Sequence, residues 1–169
     1  MITITEALAE IKTIAKRVDN KATFINGNLW RPSIVTDALS NTGGAPKRVK
    51  EEFQAVGDLI SRTERIRVRI QEANQKNTLT IQGTTKTVAA WLAWRKECAP
   101  RLKTLLGQMS SGLNTGHNQV RAQNPKQWDV TEHFSSDEVR SQIEAVDNIL
   151  GELDGRLSLF NATCTVDVN

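Results

Sequence analysis

Side chains able to make or break bonds are scarce in this chain. Its 169 residues include two histidines, His117 and His133, and two cysteines, Cys98 and Cys164. A His/Cys metal site needs at least three ligands at suitable spacing, and no such spacing occurs, so no metal is expected. A cysteine nucleophile needs a neighbouring base that lowers its pKa, and the sequence places none. Cys98 and Cys164 therefore read as two small buried thiols, with a Cys98–Cys164 disulfide as the alternative. Gly43-Gly44-Ala45-Pro46-Lys47-Arg48 puts glycines and cations at a helix start, where an anion could rest. It lacks the spacing of a nucleotide-binding loop and reads as a turn into a helix. No catalytic residue, cofactor or metal ligand is assigned, and the chain is not expected to be an enzyme.

Charge carries more information. Arg62, Arg65, Arg67 and Arg69 punctuate one segment, and Lys86 to Lys126 holds seven cations and one acid. From Gln127 onward two arginines face nine acids. An acidic last helix packed beside basic neighbours accounts for this, since flanking ion pairs select partner and direction. The alternative is a nucleic-acid contact through the face of Arg62, Arg65, Arg67 and Arg69. A net charge of only +3 and the lack of a known nucleic-acid motif weigh against it. Trp91 and Trp94 share one helical turn, and tryptophan is enriched at assembly surfaces. With Trp30, these residues make up the candidate interaction surface: Trp30, Arg62, Arg65, Arg69, Trp91 and Trp94.

The elements that hold these residues follow from periodicity. Thr3 and Glu6 have the spacing of a capping box, and a helix over about 3–25 follows. Its apolar seam reads Ile4, Leu8, Ile11, Ala15, Val18, Ala22 and Ile25, alternating steps of four and three. Residues 26–45 break the pattern at Asn26-Gly27, Trp30-Arg31-Pro32 and Gly43-Gly44. This long loop, with a helical turn around Ile34 to Leu39, is expected to be tucked down by Phe24 and Trp30. Pro46 opens a second helix over 46–76, with Val49, Phe53, Val56, Ile60, Thr63, Ile66, Ile70 and Ala73 as its stripe. A strand or hairpin follows around 77–81, with Gln82-Gly83 as a turn.

Thr87 caps a third helix over 87–110, which Pro100 should kink or split. Residues 111–134, rich in Ser, Gly and Asn, read as a second long loop. Ser135 and Glu138 form another capping box. They open the last helix, over 135–161, with the seam Val139, Ile143, Val146, Leu150, Leu153, Leu157 and Phe160. Gly151 and Gly155 weaken it unless a neighbouring backbone comes close. Residues 162–168 alternate like a short strand.

Two passages repeat. Arg69-Ile70 through Asn74 leads to Thr78-Leu79-x-Ile81, and Arg156-Leu157 through Asn161 leads to Thr165-Val166-x-Val168, 87 positions later. This suggests a duplicated hairpin whose two strands pair with each other, satisfying otherwise open edges.

These same passages, with Gly83, Thr87 and Glu152-Leu153-Asp154-Gly155-Arg156-Leu157, resemble the septicolysin-like helical-hairpin proteins of bacteria and phages. The resemblance implies an all-helical antiparallel coiled coil with small β elements, and it carries no catalytic residues.

The expectation is thus a single mainly α domain over 1–169, an elongated antiparallel four-helix bundle or coiled coil with two short strands near one end. Its expected role is non-enzymatic: a structural or assembly protein working through protein contacts, homo-oligomeric or part of a larger assembly. The family's phage members suggest a virion component. No signal-peptide core and no apolar run of membrane-spanning length is present, so a cytoplasmic or virion location is expected, with no membrane partner. The alternative is a nucleic-acid-associated cytoplasmic protein.

Overall fold

Thr3 caps the first helix as its spacing from Glu6 predicts: the Glu6 N–H donates to the Thr3 hydroxyl, and the Thr3 N–H donates to the Glu6 carboxylate. The computed structural model describes residues 1–123 and 131–168. They are mainly helical, with two short antiparallel strand pairs. The chain runs β1 (Ile2–Thr3), α1 (Ile4–Asn28), α2 (Ala45–Lys76), β2 (Thr78–Ile81), β3 (Thr84–Thr87) and α3 (Val88–Ala93). A π-helical turn at Trp94–Cys98 leads into α4 (Ala99–Gln123), and α5 (Ser136–Thr163) and β4 (Thr165–Val166) close the series. The described residues divide into two compact units, one of 1–73 with 160–169 and one of 74–159.

In the first unit α1 and α2 form an antiparallel hairpin. Lys21 pairs with Glu52 and Glu10 with Arg62, so positions rise along one helix as they fall along the other. The core joins Ile4, Ala7, Ile11 and Ile14 of α1 to Ile66 of α2, with Val166 and Val168. The buried seam of α1 therefore passes through Ala7 and Ile14 rather than Leu8 and Ala15, which are exposed. Two apolar stripes lie side by side on this helix, and the one carrying the larger Ile14 is buried. Lys21, off the expected seam, faces α2 through its ion pair.

The connection between these helices spans 29–44 and contains a 3₁₀ turn at Ser40–Thr42 instead of a helical turn over 34–39. Asp37 pins it, one carboxylate oxygen accepting the Leu39 N–H and the other the Ala45 N–H at the start of α2. Trp30 does not tuck it down as expected, being 76% exposed, while Phe24 is half-buried. Asp37, already able to satisfy free backbone donors, replaces them.

In the second unit α4 and α5 run antiparallel, with Arg95 paired to Asp154 and Lys103 to Asp147. Leu106 packs with Val139 and Val146, and α5 buries Leu153 and Leu157 on the expected seam. One correction applies to the third helical stretch. Residues 111–123 continue α4 rather than forming a loop, because Leu113 and Met109 pack against the Leu106 cluster and the Thr115 hydroxyl folds back on the Ser111 carbonyl. The remainder of the loop expected over 111–134 includes residues 124–130, which lie outside those described. The stretch divides just before Pro100, as expected: α3 ends at Ala93 and a π turn at Trp94–Cys98 separates it from α4. Proline has no N–H and crowds the carbonyl four residues back, and here a widened π turn precedes it. That turn holds one extra residue, which shifts the phase of the stripe. Trp91 and Ala99 are buried eight positions apart, while Cys98, seven beyond Trp91, is exposed.

The strand pairing also differs from expectation. β2 does not pair with β4. It forms a hairpin with β3 across Gln82-Gly83, with φ of 47° and 75°, as a tight two-residue turn requires. β4 pairs with β1. Cys98 is exposed and Cys164 half-buried, and no disulfide joins them, so neither the disulfide nor two buried thiols describes them.

Candidate interaction surface

The six candidate residues do not converge. Trp91 is 3% exposed and serves the core of the second unit, its indole N–H donating to the Leu79 carbonyl at 2.9 Å. Lys86 lies over its ring at 4.7 Å. Trp94 is half-buried and meets Trp91 edge to face, with centroids 5.7 Å apart. The tryptophan pair is therefore packing, and Trp91 is withdrawn from the interaction surface because its ring is buried and its one donor is used.

Arg62, half-buried, places Nε 2.9 Å from Glu10 and donates to the Val168 carbonyl. It ties the hairpin to the C-terminal segment. Arg69 pairs with Glu72 at 2.9 Å, and that carboxylate raises the arginine's pKa further. Arg65 is exposed. Arg65 and Arg69 line one pocket of about 290 Å³ with Val68, Asp167 and Val168, and Arg62 reaches the Val168 carbonyl beside it, so the structure brings these three arginines to one side of α2 while engaging two of them in ion pairs.

Trp30 stands on the surface, 76% exposed, and it has company that the sequence pattern hid. Leu29, Ile34 and Val35 of the same connection are also exposed, Ile34 at 93%. Trp30 and Arg31 help to line a pocket of about 310 Å³ with Pro46 and Val49 of α2. Further along the first unit, an open groove of about 490 Å³ lies between α1 and α2, with Val18, Ile60 and Val68 in its walls. Ile60 was expected in the seam, but it is 56% exposed.

The most strongly perturbed acid lies in the second unit. Glu132 accepts hydrogen bonds from the Ser136 N–H and hydroxyl and sits 2.6 Å from His117 Nε2. The His117 contact, then the Ser136 bonds, lower its pKa from 4.5 to about 2. The carboxylate is the hub of this cluster. Ser136 donates to Glu132 and not to the imidazole, so the arrangement is a clasp between α4 and the start of α5 rather than a base–nucleophile pair. Among the described residues, no group of three His, Cys, Asp or Glu could hold a metal ion, and no helix is long and apolar enough to cross a membrane.

No family model, curated protein or solved structure matches the chain. The likeness to the septicolysin-like proteins rests on the residues already quoted for it.

Proposed function

We propose that the protein is a non-enzymatic structural or assembly component that works by presenting its first unit to other proteins. One observation carries this reading: Leu29, Trp30, Ile34 and Val35, four large apolar side chains of one connection, face solvent while Asp37 fixes the backbone between the helices. Solvated loops rarely keep so many large apolar groups outside, and a cluster of this kind marks a contact surface. Tryptophan is a common anchor of such surfaces. Packing of the helix pairs into the four-helix bundle expected from the sequence belongs to the same proposal. So does a virion role, which the family resemblance suggests. The arginine-face alternative loses support, because Arg62 and Arg69 are engaged within the chain.

The test is affinity retention with the full chain as bait, against a Trp30→Ser/Ile34→Ser variant. Proteins held by the parent and released by the variant support the reading. A parent chain that retains none, and is monomeric by light scattering, overturns it.

A further inference from the structure

The pocket beside Trp30 has walls of two kinds. Leu29, Trp30, Pro46 and Val49 supply apolar surface, and Arg31 and Lys50 supply two positive charges, with no acid among the lining residues. Its volume of about 310 Å³ is at the small end for a cofactor site and ample for one large side chain.

The acids nearest to it are engaged elsewhere. Asp37 accepts the Leu39 and Ala45 N–H groups. Glu51 lies within reach of Lys47 and Arg48, and Glu52 of Lys21 and Arg48. Among the described residues neither Arg31 nor Lys50 forms an ion pair. The Arg31 guanidinium donates to the Val35 carbonyl, and Asp37 feels its charge only through space. From Asn20 to Lys50 the chain carries five cations and that one acid.

This pairing of surfaces narrows the occupant. An apolar group that covers the pocket strips water from Arg31 and Lys50, a cost recovered when carboxylates arrive with it. A nucleic-acid strand would also bring anions, but its bases bind by stacking on aromatic faces. Trp30 is the one aromatic ring in the lining, and the exposed aliphatic side chains of Leu29, Ile34 and Val35 give bases nothing to stack on.

We propose that this pocket receives an acidic polypeptide segment of a partner protein. One large apolar side chain of that segment seats against Trp30, Pro46 and Val49, while neighbouring carboxylates meet Arg31 and Lys50. This rests on the assembly reading and deepens it by giving the partner's chemistry.

The experiment is selection of short random peptides, displayed on beads, by the full chain, followed by fluorescence anisotropy of the sequences recovered. Asp or Glu beside Leu, Phe or Trp should dominate among them, and their binding should weaken as salt is raised. Trp30→Ser should abolish binding with helical circular dichroism unchanged. Arg31→Glu/Lys50→Glu, both at exposed positions, should weaken binding by roughly tenfold or more. Exchanging the acids of the peptide for lysine should restore it, which a distorted loop would not do. Recovery of neutral or basic sequences, or of none, overturns the proposal. So does a charge-reversed chain that binds acidic peptides as the parent does, or one that lysine-bearing peptides fail to rescue. A labelled single-stranded oligonucleotide that binds the parent more tightly than these peptides, and not Trp30→Ser, overturns it in favour of a nucleic-acid partner. If proteins retained through Trp30 and Ile34 stay bound to the charge-reversed chain, this inference falls and the assembly reading stands.

Discussion

Ile66 of α2 and Leu153 of α5 are 87 positions apart and occupy equivalent places in the two units, each completely excluded from solvent. The correspondence extends outward from them. The Ile4 N–H donates to the Cys164 carbonyl at 3.0 Å, and the Val88 N–H to the Asn77 carbonyl at 2.9 Å. In both places the threonine that caps the following helix pairs with the first threonine of the partner strand, Thr3 with Thr165 and Thr87 with Thr78. Each unit thus repeats one arrangement of strand pair, capping threonine and buried aliphatic residue.

Truncating either buried residue should be costly. Ile66→Ala and Leu153→Ala are each expected to destabilise the fold by about 2–5 kcal/mol, since both remove packed methyl groups and leave a cavity. Urea unfolding followed by circular dichroism would check this. A loss below about 1 kcal/mol at either site would contradict its place in the core.

The Thr87 hydroxyl accepts the Ala90 N–H at 3.1 Å. Thr87→Ala leaves that donor without its cap and should cost about 1 kcal/mol, while Thr87→Ser should cost much less. The midpoint of thermal unfolding separates the two.

Gly151 and Gly155 lie inside α5, and a Cβ at either position would meet open space. No neighbouring backbone approaches, so neither glycine is needed for packing. Gly151→Ala and Gly155→Ala should each stabilise the protein by about 0.5–1 kcal/mol, through helix propensity and a less flexible unfolded chain. Denaturant midpoints that fall instead of rising would show a contact that only glycine permits.

Stability should also depend on acid through Glu132. Its folded-state pKa is depressed from 4.5 to about 2, chiefly by His117 and then by Ser136. A depressed carboxylate pKa means that its contribution is complete above the unfolded value and is lost as pH falls through the window toward the folded value. The parent should therefore lose stability between about pH 4.5 and 2 more steeply than Glu132→Gln. Parallel slopes in denaturant titrations of the two chains would refute the clasp.

Legibility of the sequence varied with how many solutions each pattern allowed. The seam of α5 was readable because only one set of apolar residues has heptad spacing there. On α1, Leu8 and Ala15 lie next to Ala7 and Ile14, and the choice depends on α2, which local periodicity does not register. Ser110 to Gly116 looked like a loop because Gly, Asn and Ser dominate it, yet these residues sit on a helix held by Leu106, Met109 and Leu113. Alternation revealed the strands but not their partners, since pairing is set by chain topology. The exposed cluster around Trp30 went unnoticed for a related reason: burial was inferred for apolar residues whose surroundings contain nothing to bury them.

The widened turn at Trp94–Cys98 has one further consequence. Because its additional residue places Ala99, and not Cys98, on the buried side, the polypeptide carries one spare position there. Deleting Lys96 would keep Trp91, Ala99 and Leu106 aligned in regular winding, but it would set the Pro100 ring against the carbonyl four residues back, at a cost of about 3 kcal/mol. The same deletion between Ala99 and Leu106 would rotate the remainder of the rod by about 100° and turn its oily side to water. The two deletions are therefore expected to fail for different reasons, the first by crowding the proline ring and the second by breaking the buried stripe.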